Sequence, residues 1–261
     1  MMSLDSEKRD EILRLRRDEL HDRYALILGG GKFGAIAARF LIGCGSKVII
    51  VDVKDDCEAH ALVNSEIDPL DRDAELEPGD VLFFCGDALE FFERFIEIRI
   101  PFIVVTAITR HFAGVFAEKI LSEGHEVRYD LTRVRDRFDE VSEEIDYGVF
   151  EQDGIATASY MPFGMVCPED CYPGKVCTVT GKRRGRPMYE ILADVMKDLD
   201  LAIVLASYQL GRGVGGVLGE DLVRMREQLR GFDEGVCGVA TACLCHGVLN
   251  TFRVEKKEGV L

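Results

Sequence analysis

The chain of 261 residues lacks tryptophan, long apolar runs, internal repeats, low-complexity tracts and any surplus of positive charge. The missing tryptophan excludes nothing. No apolar run reaches the roughly 18 residues that a membrane-spanning helix needs, so no membrane partner is expected. The formal net charge is -15, which argues against nucleic acid or an anionic membrane as the main partner, because phosphates need clustered Lys and Arg. The opening stretch MMSLDSEKRDEILRLRRDEL is charged rather than apolar, so no secretory leader is legible and the expected location is cytoplasmic.

Hydrophobic residues make up 47% of the chain, enough for a sizeable core. The length lies between one large domain and two small ones. Nine cysteines are present. In a reducing compartment they are not expected to form a disulfide framework. They read either as buried apolar residues or as metal-binding or redox groups.

Residues 5–22 read as a charged helix with a thin apolar stripe of Ile12, Leu13, Leu15 and Leu20, a surface for pairing in a homo-oligomer. From residue 25 apolar runs alternate with helical patterns. Strands are expected at 25–28, 47–52, 81–86, 101–108 and 126–131, with helices over 32–43, 87–98 and 110–124 between them. That alternation predicts an α/β protein with a doubly wound parallel sheet. The texture changes after residue 146, giving expected domains at 1–146 and 147–261. In the second, a hairpin over 147–162 turns at Asp153-Gly154. A helix starts behind Pro187, a strand covers 201–207, a helix covers 220–230, and two closing strands flank a Cys-rich bend. This part reads as a smaller, Cys-rich α+β domain.

The stretch Gly29-Gly30-Gly31-Lys32-Phe33-Gly34 matches G-x-G-x-x-G. It follows a predicted strand, opens a predicted helix and is followed by Asp52 at the end of the next strand, a more specific conjunction than the pattern alone. Gly29 permits a tight turn, Gly31 lets the backbone approach a pyrophosphate, and Gly34 lets helix and strand pack closely. The helix start, with Lys32 and Phe33, offers N–H groups to the anion. Asp52 accepts both ribose hydroxyls and repels a 2'-phosphate, which favours NAD over NADP, with Lys54 softening that preference. An S-adenosylmethionine site and a degenerate, empty site are the competing readings.

The segment LILGGGKFGAIAARFLIGCGSKVIIVD resembles the Rossmann NAD(P)-binding domains of dehydrogenases. It is also similar to the opening of precorrin-2 dehydrogenases and of NAD-binding regulators of potassium transport. The resemblance covers about residues 24–131 and implies dinucleotide binding at Gly29, Gly31, Gly34 and Asp52. It selects no reaction. In such a sheet ligands lie beyond the carboxyl ends of the strands, which brings Cys85, Gly86 and Thr106 to the cofactor. His111 is the acid–base candidate near that edge, or a surface histidine at a helix start. Asp87 reads as an N-cap.

The second half carries Cys167, Cys171 and Cys177, and then Cys243-Leu244-Cys245-His246. The spacing matches neither common zinc motifs nor the ferredoxin run. Pro168, Pro173 and Gly174 are expected to hold a turn that fans the thiols inward. Cys167, Cys171, Cys177 and Cys245 are the candidate ligands of zinc or an iron–sulfur cluster, with His246 as a further ligand or catalytic group; buried or reactive thiols and a redox dithiol are the alternatives. Cys44, Cys57, Cys85 and Cys237 read as ordinary. The run Lys182, Arg183, Arg184, Arg186 reads as a solvated loop, an anion grip, or the partner of an acidic face. The stretch LGRGVGGVLG reads as a tight-packing or mobile loop with Arg212 near a ligand. Taken together, these residues suggest an NAD-dependent oxidoreductase acting on a small molecule, with a metal, iron–sulfur or thiol centre facing the cofactor cleft. The alternative is an NAD(H)-binding redox sensor without turnover.

Overall fold

The computed structural model describes residues 14–257 apart from 74, 163, 166, 169, 170, 172, 173 and 212. Of the helix expected over 5–22, residues 5–13 lie outside the described residues, as do Pro173 and Arg212. Only Arg17–Leu20 (α1) is helical in the described part. The protein is of mixed α/β class. No helix among the described residues is long and apolar enough to cross a membrane.

The chain divides into two compact units. The first takes residues 14–112 and 208–223. Its parallel strands are β1 (Tyr24–Leu28), β2 (Lys47–Asp52), β3 (Val81–Cys85) and β4 (Ile103–Thr106), in the order β3-β2-β1-β4. β1 and β2 are buried along almost their whole length, so their apolar runs are continuous rather than alternating, as in a sheet covered on both faces. Parallel strands need a crossover; α2 (Lys32–Ile42) connects the neighbours β1 and β2, and α3 (Ala88–Ile96) connects β3 to β4 at the far side of these four strands. Asp87 caps α3 as expected, accepting from the Leu89 and Glu90 amides at 2.9 Å. The core is built on Ile27, Ala38, Leu41, Ile50, Val81 and Ile103.

The glycine-rich stretch expected as a loop is a strand in this unit, β9 (Val214–Leu218), antiparallel to β4 through Ile103↔Leu218 and Val104↔Val217. Its small residues serve close approach: a Cβ on Gly216 would stand 2.8 Å from Ile103.

The second unit takes the described residues of 113–207 and 224–257. It contains α4 (Phe112–Ser122, from its second residue), β5 (His125–Tyr129), α5 (Thr132–Glu140), β6 (Asp146–Phe150), β7 (Ile155–Ser159), α6 (Met188–Val195), most of β8 (Leu201–Gly211), most of α7 (Gly219–Arg230), β10 (Gly235–Ala242) and β11 (His246–Lys256). β10 pairs parallel with β8 and antiparallel with β11. β11 pairs along its first half with β7 and along its second with β5, both antiparallel. The expected hairpin is present as β6 and β7. Gly154 closes its turn at φ +61°, where an added Cβ would meet the Tyr129 ring at 2.1 Å.

Two expectations are corrected here. β5 does not continue the parallel sheet but pairs antiparallel with β11, Phe252↔Tyr129 to Lys256↔His125. In HEVRY the exposed, charged Glu126 and Arg128 alternate with the half-buried His125 and Val127, the pattern of a strand covered on one face only. The division therefore falls at residue 112/113 rather than 146, and the chain returns to the first unit for β9.

Asp130 follows β5 and fastens it. Its carboxylate, 11% exposed, accepts from Arg253 at 2.5 Å and from the Thr132 amide at 3.1 Å. Burial opposes the charge, but Thr132 and the Arg253 guanidinium outweigh it and hold this carboxyl below its usual value. A depressed carboxylate contributes stability above the unfolded value, about pH 4, and loses it as pH falls through the folded value. Asp130→Asn is expected to cost about 1–3 kcal/mol at neutral pH and to flatten the acid limb of the stability curve, as read by urea melts at neutral and acid pH.

Candidate functional site

The carboxyl ends of the four parallel strands form one edge. Gly29 leaves β1 at φ +104°, and its N–H donates to Val51 O at 2.8 Å. A Cβ at Gly34 would lie 1.9 Å from Gly29 O, so helix and turn touch backbone to backbone. Gly31 is the opposite case. It is exposed, a Cβ there would have nothing within 4 Å, and it caps α2 with no side chain on the helix start and no acid in the first turn. The unsatisfied N–H groups of a first helical turn thus meet open space. Lys32 is exposed and Phe33 is 57% exposed beside them.

Asp52 ends β2 and has a task that the sequence did not show. One carboxylate oxygen accepts from the Gly30 N–H at 2.6 Å and the other from the Lys54 N–H at 2.9 Å. It pins the glycine loop, and a carboxylate's remaining lone pairs are still able to accept. Cys57 also supports the loop. A Cβ on Gly30 would fall 2.3 Å from its Sγ, and the Ala59 N–H donates to Gly30 O at 2.8 Å. Burial chiefly, with the Asp52 charge adding, holds the Cys57 thiol above its usual value. No local signal marks Cys57; only the docking of the short helical turn Glu58–Leu62 reveals it.

The other expected residues share this edge. Asp52 pairs in register with Cys85 and Leu28 with Thr106. The Gly86 N–H donates to Asp52 O at 2.9 Å, and the Cys85 thiol faces Val53 O at 3.7 Å. Thr106 is exposed at the end of β4. Val53 is 67% exposed beside Asp52, an apolar surface unexpected at a strand end. His111 immediately precedes α4.

The second unit gathers a separate group. Cys167 Sγ lies 3.3 Å from His246 Nε2, and Cys243 Sγ lies 3.8 Å from His246 Nδ1. The amides of Cys245 and His246 both donate to Cys243 Sγ at 3.3 Å. Cys243 and Cys245 thus belong to a tight bend between β10 and β11, the Cys-rich bend expected between two closing strands. Arg184, only 9% exposed, donates from Nη1 to Cys245 Sγ at 3.3 Å. Burial first, then the thiols of Cys171, Cys177 and Cys245, push Cys167 up to about 11. Burial likewise pushes Cys245 up to about 11, against the pull of Arg184. Burial also opposes the Cys243 thiolate, but the hydrogen bond and charge of His246 win and hold Cys243 below its usual value, while Cys243 raises His246. Cys177 is lowered, chiefly by Thr180.

The expected residues Cys167, Cys171, Cys177, Cys245 and His246 are therefore neighbours, joined by Cys243 and Arg184. His111 and His246 belong to different units. Among the described residues no three His, Cys, Asp or Glu side chains stand close enough together to hold an ion as placed. The basic run is not one surface: Arg186 pairs with Asp194 at 2.5 Å and Glu144 at 3.2 Å, whereas Arg184 turns inward.

Comparison with known proteins adds the following. A curated protein of Archaeoglobus fulgidus, described as "Uncharacterized protein", is 27% identical over 230 residues, covering 87% of this chain and 98% of that protein. A crystal structure of the ADP complex of purK, N5-carboxyaminoimidazole ribonucleotide synthetase, aligns at 10% identity with a TM-score of 0.26, over 90% of this chain and 48% of that one; a likeness that weak carries no argument. The family model AF_1314_N, "Uncharacterized protein, N-terminal domain", matches residues 24–109, and AF_1314_C, "Uncharacterized protein, C-terminal domain", matches residues 116–255. The latter match spans more than half of the chain, and the protein belongs to this AF_1314 family.

Proposed function

We propose that the first unit is a Rossmann-type, doubly wound dinucleotide module that binds NAD(H) in preference to NADP(H), and that the protein is an oxidoreductase acting on a small molecule. The observation that carries this reading is the open main chain at Gly31, in a loop tightened by the Gly29–Gly34 contact and pinned at Gly30 by Asp52. The strand order β3-β2-β1-β4, with the loop leaving β1, supports it, since it matches one half of the doubly wound arrangement.

The residues present suit the cofactor. The open helix start suits a diphosphate. The Asp52 carboxylate suits a ribose diol and opposes a 2'-phosphate, and the exposed Val53 suits an adenine face. When bound, the nicotinamide supplies a hydride acceptor or donor. Thr106, Cys85 and Gly86 border the same edge, and His111, just ahead of α4, is assigned to hold or release a proton. NADH is expected to bind at micromolar concentrations, with NADPH at least ~10-fold weaker, a difference of about 1.4 kcal/mol. Asp52→Ala should weaken NADH and narrow that preference. Calorimetric titration of both cofactors is the check, and silence towards both would end the reading. NADH that binds and is never consumed by any substrate would instead favour the sensor.

A further inference from the structure

The second unit concentrates its chemistry where the dinucleotide reading makes no use of it. Cys167, Cys171 and Cys177 come from the segment ahead of α6, and Cys243, Cys245 and His246 from the bend between β10 and β11. Backbone hydrogen bonds hold Cys171 and Cys177 in turns. The Cys171 N–H donates to Pro168 O, the Cys177 N–H to Lys182 O, and the Gly181 N–H to Cys177 O, each at 2.9 Å. Cys167 is the hub, 3.3 Å from His246 Nε2, with Cys171, Cys177 and Cys245 as the thiols around it.

Three donors in this group ask for anionic sulfur. Two backbone amides aim at Cys243 Sγ, and the buried Arg184 guanidinium aims at Cys245 Sγ. A guanidinium cannot shed its proton, and burying one is costly unless negative charge lies beside it. A thiolate at Cys245 supplies negative charge at that distance.

We propose that Cys167, Cys171, Cys177 and Cys245 form a four-thiolate centre for a soft metal, zinc or an iron–sulfur cluster, with Cys243, His246 and Arg184 supporting it. Thiolate ligands select such metals over magnesium or calcium. Four thiol protons leave to solvent as the ligands bind, with no change of oxidation state for zinc. A Zn(II) tetrathiolate carries a net charge of -2, part of which the Arg184 guanidinium offsets from outside the coordination shell. The described side chains are hydrogen-bonded to one another, so binding requires the sulfurs to turn inward to metal–sulfur distances of about 2.3 Å. The centre lies wholly within the second unit and is independent of the dinucleotide reading.

Protein purified without oxygen is expected to carry about one zinc per chain, or iron with acid-labile sulfide, and metal analysis distinguishes the two. Protein stripped of metal and titrated with Co²⁺ should develop the visible spectrum of a tetrahedral thiolate site, a readout that needs no variant to fold. Cys167→Ser and Cys245→Ser should each lose the metal, whereas Cys44→Ala, in the core of the other unit, should keep it. Wild-type protein that holds neither metal and takes up no Co²⁺ overturns the proposal, as does a Cys167→Ser/Cys245→Ser double variant with its metal intact. NADH titration of the same samples keeps the two readings apart, since either can fail while the other stands.

Discussion

Replacing Gly31 by glutamate is expected to leave the fold as stable as before and to weaken NADH binding by at least ~100-fold, about 2.7 kcal/mol. The backbone at Gly31 has φ -69°, a conformation open to any residue, and its Cβ would enter free space. Glycine here is therefore not required for folding. A carboxylate at a helix start is favourable by about 0.3–1 kcal/mol, and losing glycine reduces the freedom of the unfolded chain. Both effects push stability slightly upward. The same side chain occupies that open space and sets a negative charge where the diphosphate would lie. Urea melts and NADH titrations on one preparation separate the two effects. Unchanged affinity would show that the cofactor does not approach this glycine. Gly34 behaves differently: its missing Cβ is needed for packing, because the Gly29 carbonyl occupies that space.

Phe252→Ala is expected to destabilise the protein by about 3–5 kcal/mol, a large share of the roughly 5–15 kcal/mol a domain has in total. Phe252 is fully buried on β11, opposite Tyr129 of β5 in register, with the two rings 5.7 Å apart. The truncation leaves a cavity at the strand that holds β5, β7 and β10 together. A urea midpoint measures the loss. Faster amide exchange across His125–Tyr129 than along β10 would place it at the β5–β11 pairing. Equal change in all strands would mean that β5 is not held chiefly by this contact.

The same pairing shows why one part of the chain was legible and another was not. Residues 24–52 carry strand, glycine loop, helix, strand and acid in one continuous stretch, and three contacts that shape the loop are short-range or between adjacent parallel strands: Gly29 to Val51, Gly30 to Asp52, Gly34 to Gly29. The Asp87 cap and the hairpin at Gly154 are likewise local. β5 misled because its position among alternating elements suggested a parallel strand, while the alternation of its charged residues, Glu126 and Arg128, was the truer guide. β9 misled because glycines that read as a loop serve close packing in a strand.

By itself the sequence determined the glycine loop with its acid, the strand–helix alternation of the first unit and the presence of a thiol group in the second. Only the tertiary structure decided that β5 joins β11, that β9 returns to the first unit, that Cys57 props the loop, and that Arg184 turns inward to Cys245. The physical reason is range. Helix starts, turns and adjacent strands are specified by neighbouring residues. Antiparallel partners and buried charges are instead chosen by which distant surface offers the matching register and the compensating group.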